Sequence, residues 1–346
     1  MARARRKGTG VTIQTVAERA GVSAMTVSYV VNGTGRVSAA TRESVLAAVR
    51  ELGYQPNTAA RSLASAATCR IGIVYQNSQN AFLSAMLVGA LNATSRLGAE
   101  LMIGKVEGPV MADTERAMRL LVRGGANAIL LAPPYGELVS GSGLIAELGV
   151  PVAAVAHGGE LPDMATIGVD DRSATRAMAE RLIARGHRRI GFVTGPPSHD
   201  SSPLRLAGFR DALVAAGLPW DEALVQPGRF TFDSGLEAGE ALLALAKPPT
   251  AIFASNDDMA SGVCAVAHRR RLRIPEDIAV AGFDDAPIAV KIWPSLTTVR
   301  QPVEQIGERA TELLVARVTG RDDFGGAQSL RMPFEVIERE STAIDR

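Results

Sequence analysis

The sequence predicts an α/β chain: an N-terminal helix-turn-helix head and a short capped segment, followed by a two-lobed body with parallel sheets. Three observations carry this expectation. Val11 to Asn32, VTIQTVAERAGVSAMTVSYVVN, reads as two short helices joined by a tight turn. From Arg70 onward, short aliphatic runs alternate with helical segments, the repeated βαβ order that builds parallel sheets covered by helices on both faces. That alternation comes as two successive series, which implies two similar lobes.

Within the head, Val16, Ala17, Ala20, Val22, Val27 and Val30 can form a compact inner face. Gly21 stands at the turn, where a positive φ is easiest for glycine. Ser23 is a natural N-cap for the second helix. A helix placed this way enters a DNA major groove; the plainer alternative is a helical hairpin inside a larger core. After the loop GTGRVS, Ser38 starts a third helix, and Val45, Leu46, Val49 and Leu52 close a three-helix unit at helical spacing. Gly53 ends that helix. Pro56 then interrupts, and Asn57 can cap a segment running to Ala64. So short a helix is not stable alone in water and needs something packed against it.

The body opens with the strand RIGIVY, a helix from Ala81 to Leu97, the strand AELMIG and the helix DTERAMRLLVRGG. The strand AILLA, a helix around Glu137 to Leu148 and the strand VPVAAVA complete the first series. TIGVDD opens the second, followed by RSATRAMAERLIARG, HRRIGFVTG, PLRLAGFRDALVAAG, SGLEAGEALLALA, TAIFASND, MASGVCAVAHRR and DIAVAGFDD. Ligands in such folds gather at the carboxyl ends of the strands.

Composition agrees. The chain of 346 residues is 47% hydrophobic and 4% aromatic, with 34 glycines, which suits a large α/β core with many short loops. Net charge is only +1, but its distribution is uneven. Up to Ala64 there are nine basic residues against three acidic ones; the remainder carries 28 against 33. A basic head on a mildly acidic body implies that only the head meets phosphates. The basic start MARARRKGTG is either a phosphate-contacting arm or a solvated tail, and without an apolar core behind it is not a secretory signal. Cys69 and Cys264 form no framework, which fits a reducing cytoplasm, and no apolar run is long enough to span a membrane.

The order VTIQTVAERAGVSAMTVSYVVNG, RVSAATRESVLAAVRELGYQPN, AARSLA resembles the LacI/GalR family of bacterial transcription regulators, and the likeness runs through essentially the whole chain. The resemblance implies a DNA-binding domain over residues 1–56, a hinge helix and linker over 57–68, and a periplasmic-binding-protein-like effector and dimerisation domain over 69–346. It implies an N-lobe of about 69–166 and 295–328 and a C-lobe of about 167–294 and 329–346, with crossings near Ile167, Ser295 and Ser329. Ala24, Met25 and Tyr29 then take base-facing positions, and Thr12, Thr26 and Ser28 suit phosphate contacts, with Ser23 and Asn32 at the ends of the same helix. Many members carry arginine where Tyr29 stands, so the base read there differs in this chain. For Tyr29 and Met25 the alternative is partial packing in the head core. The hinge would pair with its dimer mate in the minor groove through Asn57, Ala60 and Arg61, with Leu63 as the wedge between bases.

By the same resemblance, effector contacts fall on Asn80, Phe82, Ser201, Arg205, Phe230, Asn256, Asp284 and Gln301. A guanidinium, an amide and a carboxylate match the vicinal hydroxyls of a sugar. Each has a structural alternative: an ion pair for Arg205, helix capping for Asn256 and Asp284, core packing for Phe82 and Phe230. Ala156 and His157 stand where the family often has a polar contact, so the pocket departs from that of well-known sugar-responsive members. A purine, a phosphorylated metabolite or an oligosaccharide is the competing ligand class.

Enzymatic readings fail on context. Gly141 to Ala146 matches GxGxxA but is separated from the preceding strand. Ser198, His199, Asp200 and Ser201 put triad residue types side by side without convergence in space. The histidines and cysteines lack metal-ligand spacing, and no cofactor is implied. The expected partners are therefore double-stranded operator DNA, a small effector and a second copy of the chain. The ending FEVIERESTAIDR has no leucine heptad, so dimers and no coiled-coil tetramer are expected.

Overall fold

The structure, a computed structural model, describes residues 11–32, 37–54, 69–76, 81–156, 159–321 and 329–343. It divides into two compact units, Met1–Thr68 and Cys69–Arg346. Asn57, Ala60, Arg61 and Leu63 of the expected hinge lie outside the described residues, as do Asn80, His157 and the side chain of Asn32.

Among the described residues the first unit has three helices, α1 (Ile13–Ala20), α2 (Ala24–Asn32) and α3 (Ala39–Leu52). Each is capped by a hydroxyl. Thr12 Oγ1 accepts from the Thr15 amide, Ser23 Oγ from the Thr26 amide at 3.1 Å, and Ser38 Oγ from the Thr41 amide at 3.2 Å. Such caps satisfy amides that have no partner within the helix. Gly21 ends α1 at φ 67° and Gly53 ends α3 at φ 60°, both left-handed conformations that glycine adopts without strain. Val16, Ala17, Val27, Val30, Val45 and Ala48 are buried together as the core.

The second unit contains two six-stranded sheets. The first sheet draws on β1 (Arg70–Gln76), β2 (Glu100–Val106), β3 (Ala128–Leu131), β4 (Val152–Val155), β5 (Ala165–Gly168) and β11 (Ser329–Arg331). Its order is β11-β5-β4-β3-β1-β2, parallel throughout. The second contains β6 (Ile190–Val193), β7 (Val225–Gln226), β8 (Ala251–Ala254), β9 (Ala279–Asp284), β10 (Thr297–Arg300) and β12 (Glu335–Ile337). Its order is β12-β10-β9-β8-β6-β7, with only β12 antiparallel. Central strands β3, β4, β5, β6 and β8 are buried along their whole length, because helices cover both faces.

On the first sheet lie α4 (Ala81–Leu97), α5 (Met111–Arg123), α6 (Tyr135–Val139), α7 (Leu144–Leu148) and the late helix α12 (Val303–Val318). On the second lie α8 (Asp171–Ala184), α9 (Ser201–Ala215), α10 (Phe232–Leu243) and α11 (Asp257–Arg269). Helices α4 and α12 touch backbone to backbone: a Cβ on Gly89 would fall 1.9 Å from the Glu304 carbonyl oxygen, and one on Gly307 would fall 2.3 Å from that of Met86.

Three boundaries differ from the sequence expectation. The single helix around Glu137 to Leu148 is two short helices, interrupted by Gly141 and Gly143 at φ 71° and 81°. The second crossing, expected near Ser295, falls after Arg300, because β10 pairs with β9 and β12 in the second sheet. The third, expected near Ser329, falls after Arg331, because β11 pairs with β5 in the first sheet. Strand patterning reports burial, not which sheet supplies the neighbour, so a short strand at a crossing is assigned only by long-range pairing.

Candidate functional site

In the head, α2 has two unlike faces. Val27 and Val30 are buried in the core, whereas Met25 is 65% exposed and Tyr29 38% exposed. Residues four apart lie on one helical face, so Met25 and Tyr29 form an exposed apolar and phenolic ridge. Ala24 is half-buried against the core, and Thr26 is half-buried with its hydroxyl 2.9 Å from that of Ser23. Ser28 is half-buried on the same helix. Thr12 is exposed and closes a reciprocal cap with Thr15 at the start of α1. Core packing is therefore the smaller part of what Met25 and Tyr29 do.

In the body, one cavity of about 540 Å³ is lined from both sheets. The first sheet contributes the carboxyl end of β1 (Tyr75 and Gln76), Ala132 after β3 and Ala156 after β4. The second contributes Asn256 after β8, Asp284 at the end of β9 and Gln301 after β10. Strand carboxyl ends of two sheets thus converge on one space, where α/β folds take their ligands. Phe82, Tyr135, His199, Phe230 and Phe232 give it aromatic walls. Seven of the eight sequence candidates, Phe82, Ser201, Arg205, Phe230, Asn256, Asp284 and Gln301, line it together. The eighth, Asn80, is outside the described residues.

Several of these side chains are already engaged. Arg205 is 5% exposed; its Nε donates to Asp171 Oδ1 at 2.7 Å, and its Nη1 donates to the Ser255 carbonyl. Its guanidinium also lies 3.7 Å from the centre of the Phe283 ring. The ion-pair alternative for Arg205 thus holds alongside its place in the cavity wall. Asn256 caps α11, accepting from the Met259 amide at 3.0 Å and donating to the Phe230 carbonyl at 3.1 Å. Asp284 does not cap the short helical turn that follows it, which has no side-chain cap; Asp257 accepts from the Ala286 amide at 2.7 Å. Asp284 instead accepts from Gln301 Nε2 at 2.7 Å, and its φ of 111° is unusual for a residue with a side chain. Phe230 sits at φ 57° and covers Gly195, where any Cβ would run into its ring.

The electrostatics follow from burial. Burial pushes the Asp284 carboxyl up to about 6, against the pull of Arg205 and Gln301. Burial alone raises Asp258. It lowers His199, whose ring meets Phe230 edge-on at 5.3 Å, while Glu137 acts in the opposite direction. Sequence reasoning passed over Tyr75, Tyr135, His199 and Asp258 as lining residues. Tyr135 follows a strand and could have been found by the rule that led to Phe82, whereas Tyr75 lies inside the strand RIGIVY; His199 was set aside as part of a false triad. Asp258 had no signal beyond standing two residues after Asn256. Among the described residues no group of histidine, cysteine and carboxylate side chains could hold a metal, and no helix is long and apolar enough to cross a membrane.

Two family models match. Residues 12–57 fit "Bacterial regulatory proteins, lacI family", and residues 179–342 fit a periplasmic binding protein-like domain. The HTH-type transcriptional regulator CelR of Thermobifida fusca is 36% identical over 324 residues, covering 89% of this chain and 92% of the relative. The HTH-type transcriptional repressor PurR of Erwinia tasmaniensis is 32% identical over 333 residues, covering 96% and 97%. A solved CelR–cellobiose complex superposes with a TM-score of 0.71 at 33% identity, covering 96% of this chain and 99% of that one. The Lac repressor dimer bound to operator and the anti-inducer ONPF superposes with a TM-score of 0.74 at 29% identity, covering 97% and 100%. A helix-turn-helix head, two α/β lobes with six-stranded sheets and end-to-end likeness to these regulators agree: the chain belongs to the LacI family of DNA-binding bacterial transcriptional regulators.

Proposed function

We propose that the protein is a dimeric repressor that binds a near-palindromic operator and is controlled by a small carbohydrate held between the two lobes. The observation that carries this is the cavity at the strand ends of both sheets, where aromatic rings and a guanidinium–carboxylate–amide set stand together. Its volume lies within the range of about 300–1,000 Å³ typical of small-molecule sites. Rings of Phe82 and Phe230 suit the apolar faces of a sugar, and Arg205, Asp284 and Gln301 its hydroxyls. A relative with cellobiose bound supports this ligand class.

In this reading each head presents Met25 and Tyr29 to base edges, and the two-fold symmetry of the dimer sets the symmetry of the site. The basic head supplies phosphate contacts, so affinity falls steeply with salt. The hinge segment inserts Leu63 at the operator centre. Effector binding favours one lobe arrangement, and the hinge helices form or melt with it. By linkage, effector and DNA change one another's affinity by the same factor.

The relative PurR favours a second reading, a purine or phosphorylated-metabolite corepressor. The charge of the cavity speaks against a phosphoryl group: the charge of Arg205 is balanced by Asp171, and Arg229 pairs with Glu237 at 2.8 Å. The test is fluorescence anisotropy on palindromic duplexes selected from random sequence, with and without cellobiose. Salt-dependent binding that cellobiose weakens at least about fivefold supports the first reading. Binding strengthened by hypoxanthine and indifferent to sugars would replace it with the second.

A further inference from the structure

The cavity has an unbalanced set of charges. Asp258 and Asp284 lie in its wall and Asp171 and Asp257 behind it, four carboxylates against one buried guanidinium, Arg205, with the charge of Arg331 acting on Asp171 as well. Arg205 gives its Nε to Asp171 and its Nη1 to the Ser255 carbonyl. The remaining lining cation among the described residues, Arg229, is held by both oxygens of Glu237 at 2.8 and 3.0 Å. Among the described residues no lysine lines the cavity. Asp258 stands in the first turn of α11, half-buried, and its carboxylate has no hydrogen-bond or ionic partner among the described residues. Asp284 has one, the Gln301 amide, and feels the charge of Asp258. Gln301 is itself 4% exposed and its Oε1 is without a partner.

We propose that Asp258 and Asp284 form a carboxylate pair that selects a protonated amine on the effector, so that the cavity takes an amino sugar in preference to its neutral or N-acylated counterpart. The proposal rests on the cavity being the carbohydrate site and names the class of carbohydrate. A desolvated carboxylate without a partner is costly, and it is relieved most by a cation that brings hydrogen-bond donors. An ammonium carries a positive charge and three donors and no acceptor, which matches a wall made of acceptors. A hydroxyl in the same place donates one hydrogen bond and leaves the charge uncompensated. Burial raises both carboxyls, and for Asp284 the neighbouring Asp258 adds to this; a bound ammonium reverses both tendencies. The same excess of negative charge repels phosphorylated ligands. Asp258 is thus a specificity-determining residue, while Arg205, bound to Asp171, orients the surrounding wall.

The test uses three disaccharides of one linkage: cellobiose, the β-1,4-linked glucosamine disaccharide, and its N,N′-diacetyl form. Calorimetric titration of the full-length protein at pH 7 is expected to give the amine at least about tenfold tighter binding than cellobiose. The diacetyl form, bulkier and uncharged, is expected to bind no better than cellobiose. In Asp258→Asn the ratio of amine to cellobiose affinity is expected to fall to near unity, a comparison within one variant that does not depend on its overall stability. Cellobiose binding as tight as or tighter than the amine overturns the proposal and leaves the carbohydrate reading intact. An unchanged ratio in Asp258→Asn also overturns it. If none of the three binds or shifts the anisotropy of the operator complex, the carbohydrate reading fails and the proposal with it.

Discussion

Replacing Arg205 by methionine tests whether this residue is only a ligand contact or also a structural member of the body. It is 5% exposed, its ion-pair partner Asp171 is 2% exposed, and the pair is closed at 2.7 Å. Removing the cation leaves a buried carboxylate and strands the Ser255 carbonyl that Nη1 had satisfied. Breaking a buried pair from one side costs about 3–5 kcal/mol. Taking roughly 2–4 °C per kcal/mol for a domain of this size, the unliganded protein should melt about 6–20 °C lower. Replacing both partners, Arg205→Met with Asp171→Leu, removes the uncompensated charge and should recover most of that loss. Differential scanning calorimetry of the body without ligand gives the answer directly. A variant melting within about 1 °C of the parent would refute the argument, as would a double variant no more stable than either single one.

Asp284→Asn is expected to stabilise the unliganded protein at pH 8 by about 1–2 kcal/mol while weakening ligand binding. The sign follows from a folded carboxyl at about 6 against an ordinary value near 3.9: the charge is disfavoured in the fold, the penalty is complete above about 6, and it vanishes below about 4. Urea melts of both proteins at pH 4 and pH 8 check this, and equal gains at both pH values would contradict it. Gly89→Ala should destabilise by about 1–3 kcal/mol through the clash with the Glu304 carbonyl, and a variant as stable as the parent in urea would show that α4 and α12 separate easily. Met25→Ala and Tyr29→Ala should leave the melting temperature nearly unchanged, because both side chains are exposed, yet each should lower discrimination among operator variants by about 1–3 kcal/mol per contacted base pair. Uniform weakening on every duplex would instead mark them as phosphate contacts.

The head and the order of lobes were legible because they rest on local signals. The cap at Ser23, the helix start at Ser38 and the glycines at Gly21 and Gly53 are written one residue at a time, and the structure uses all four; the cap at Thr12 was not read from the sequence. The helix from Ala81 to Leu97 likewise has the limits its apolar spacing gives. Lobe crossings were not legible to the same degree. Thr297–Arg300 and Ser329–Arg331 are short strands whose sheet is decided by partners far away in sequence, β9 for one and β5 for the other. In the cavity, strand-end residues were found by rule. Asp258 and His199 were not, because their importance comes from their surroundings: among the described residues no cation answers Asp258, and burial acts on both.

A consequence follows for how ligand residues in this fold are assigned. Asn256 holds the start of α11 and the Phe230 carbonyl; Arg205 holds Asp171 and Ser255; Gln301 holds Asp284. Each of these three residues thus also fastens neighbouring elements of the fold to one another. A substitution that abolishes effector response at these positions therefore mixes lost contact with lost geometry. The mixture separates by comparing the stability of the unliganded protein with the affinity of the liganded one. Asp258 is free of this ambiguity, since its carboxylate fastens nothing among the described residues. A change there breaks no fold contact among the described residues and alters only the charge that Asp284 feels, which makes it the position where effector chemistry in this chain is most directly read.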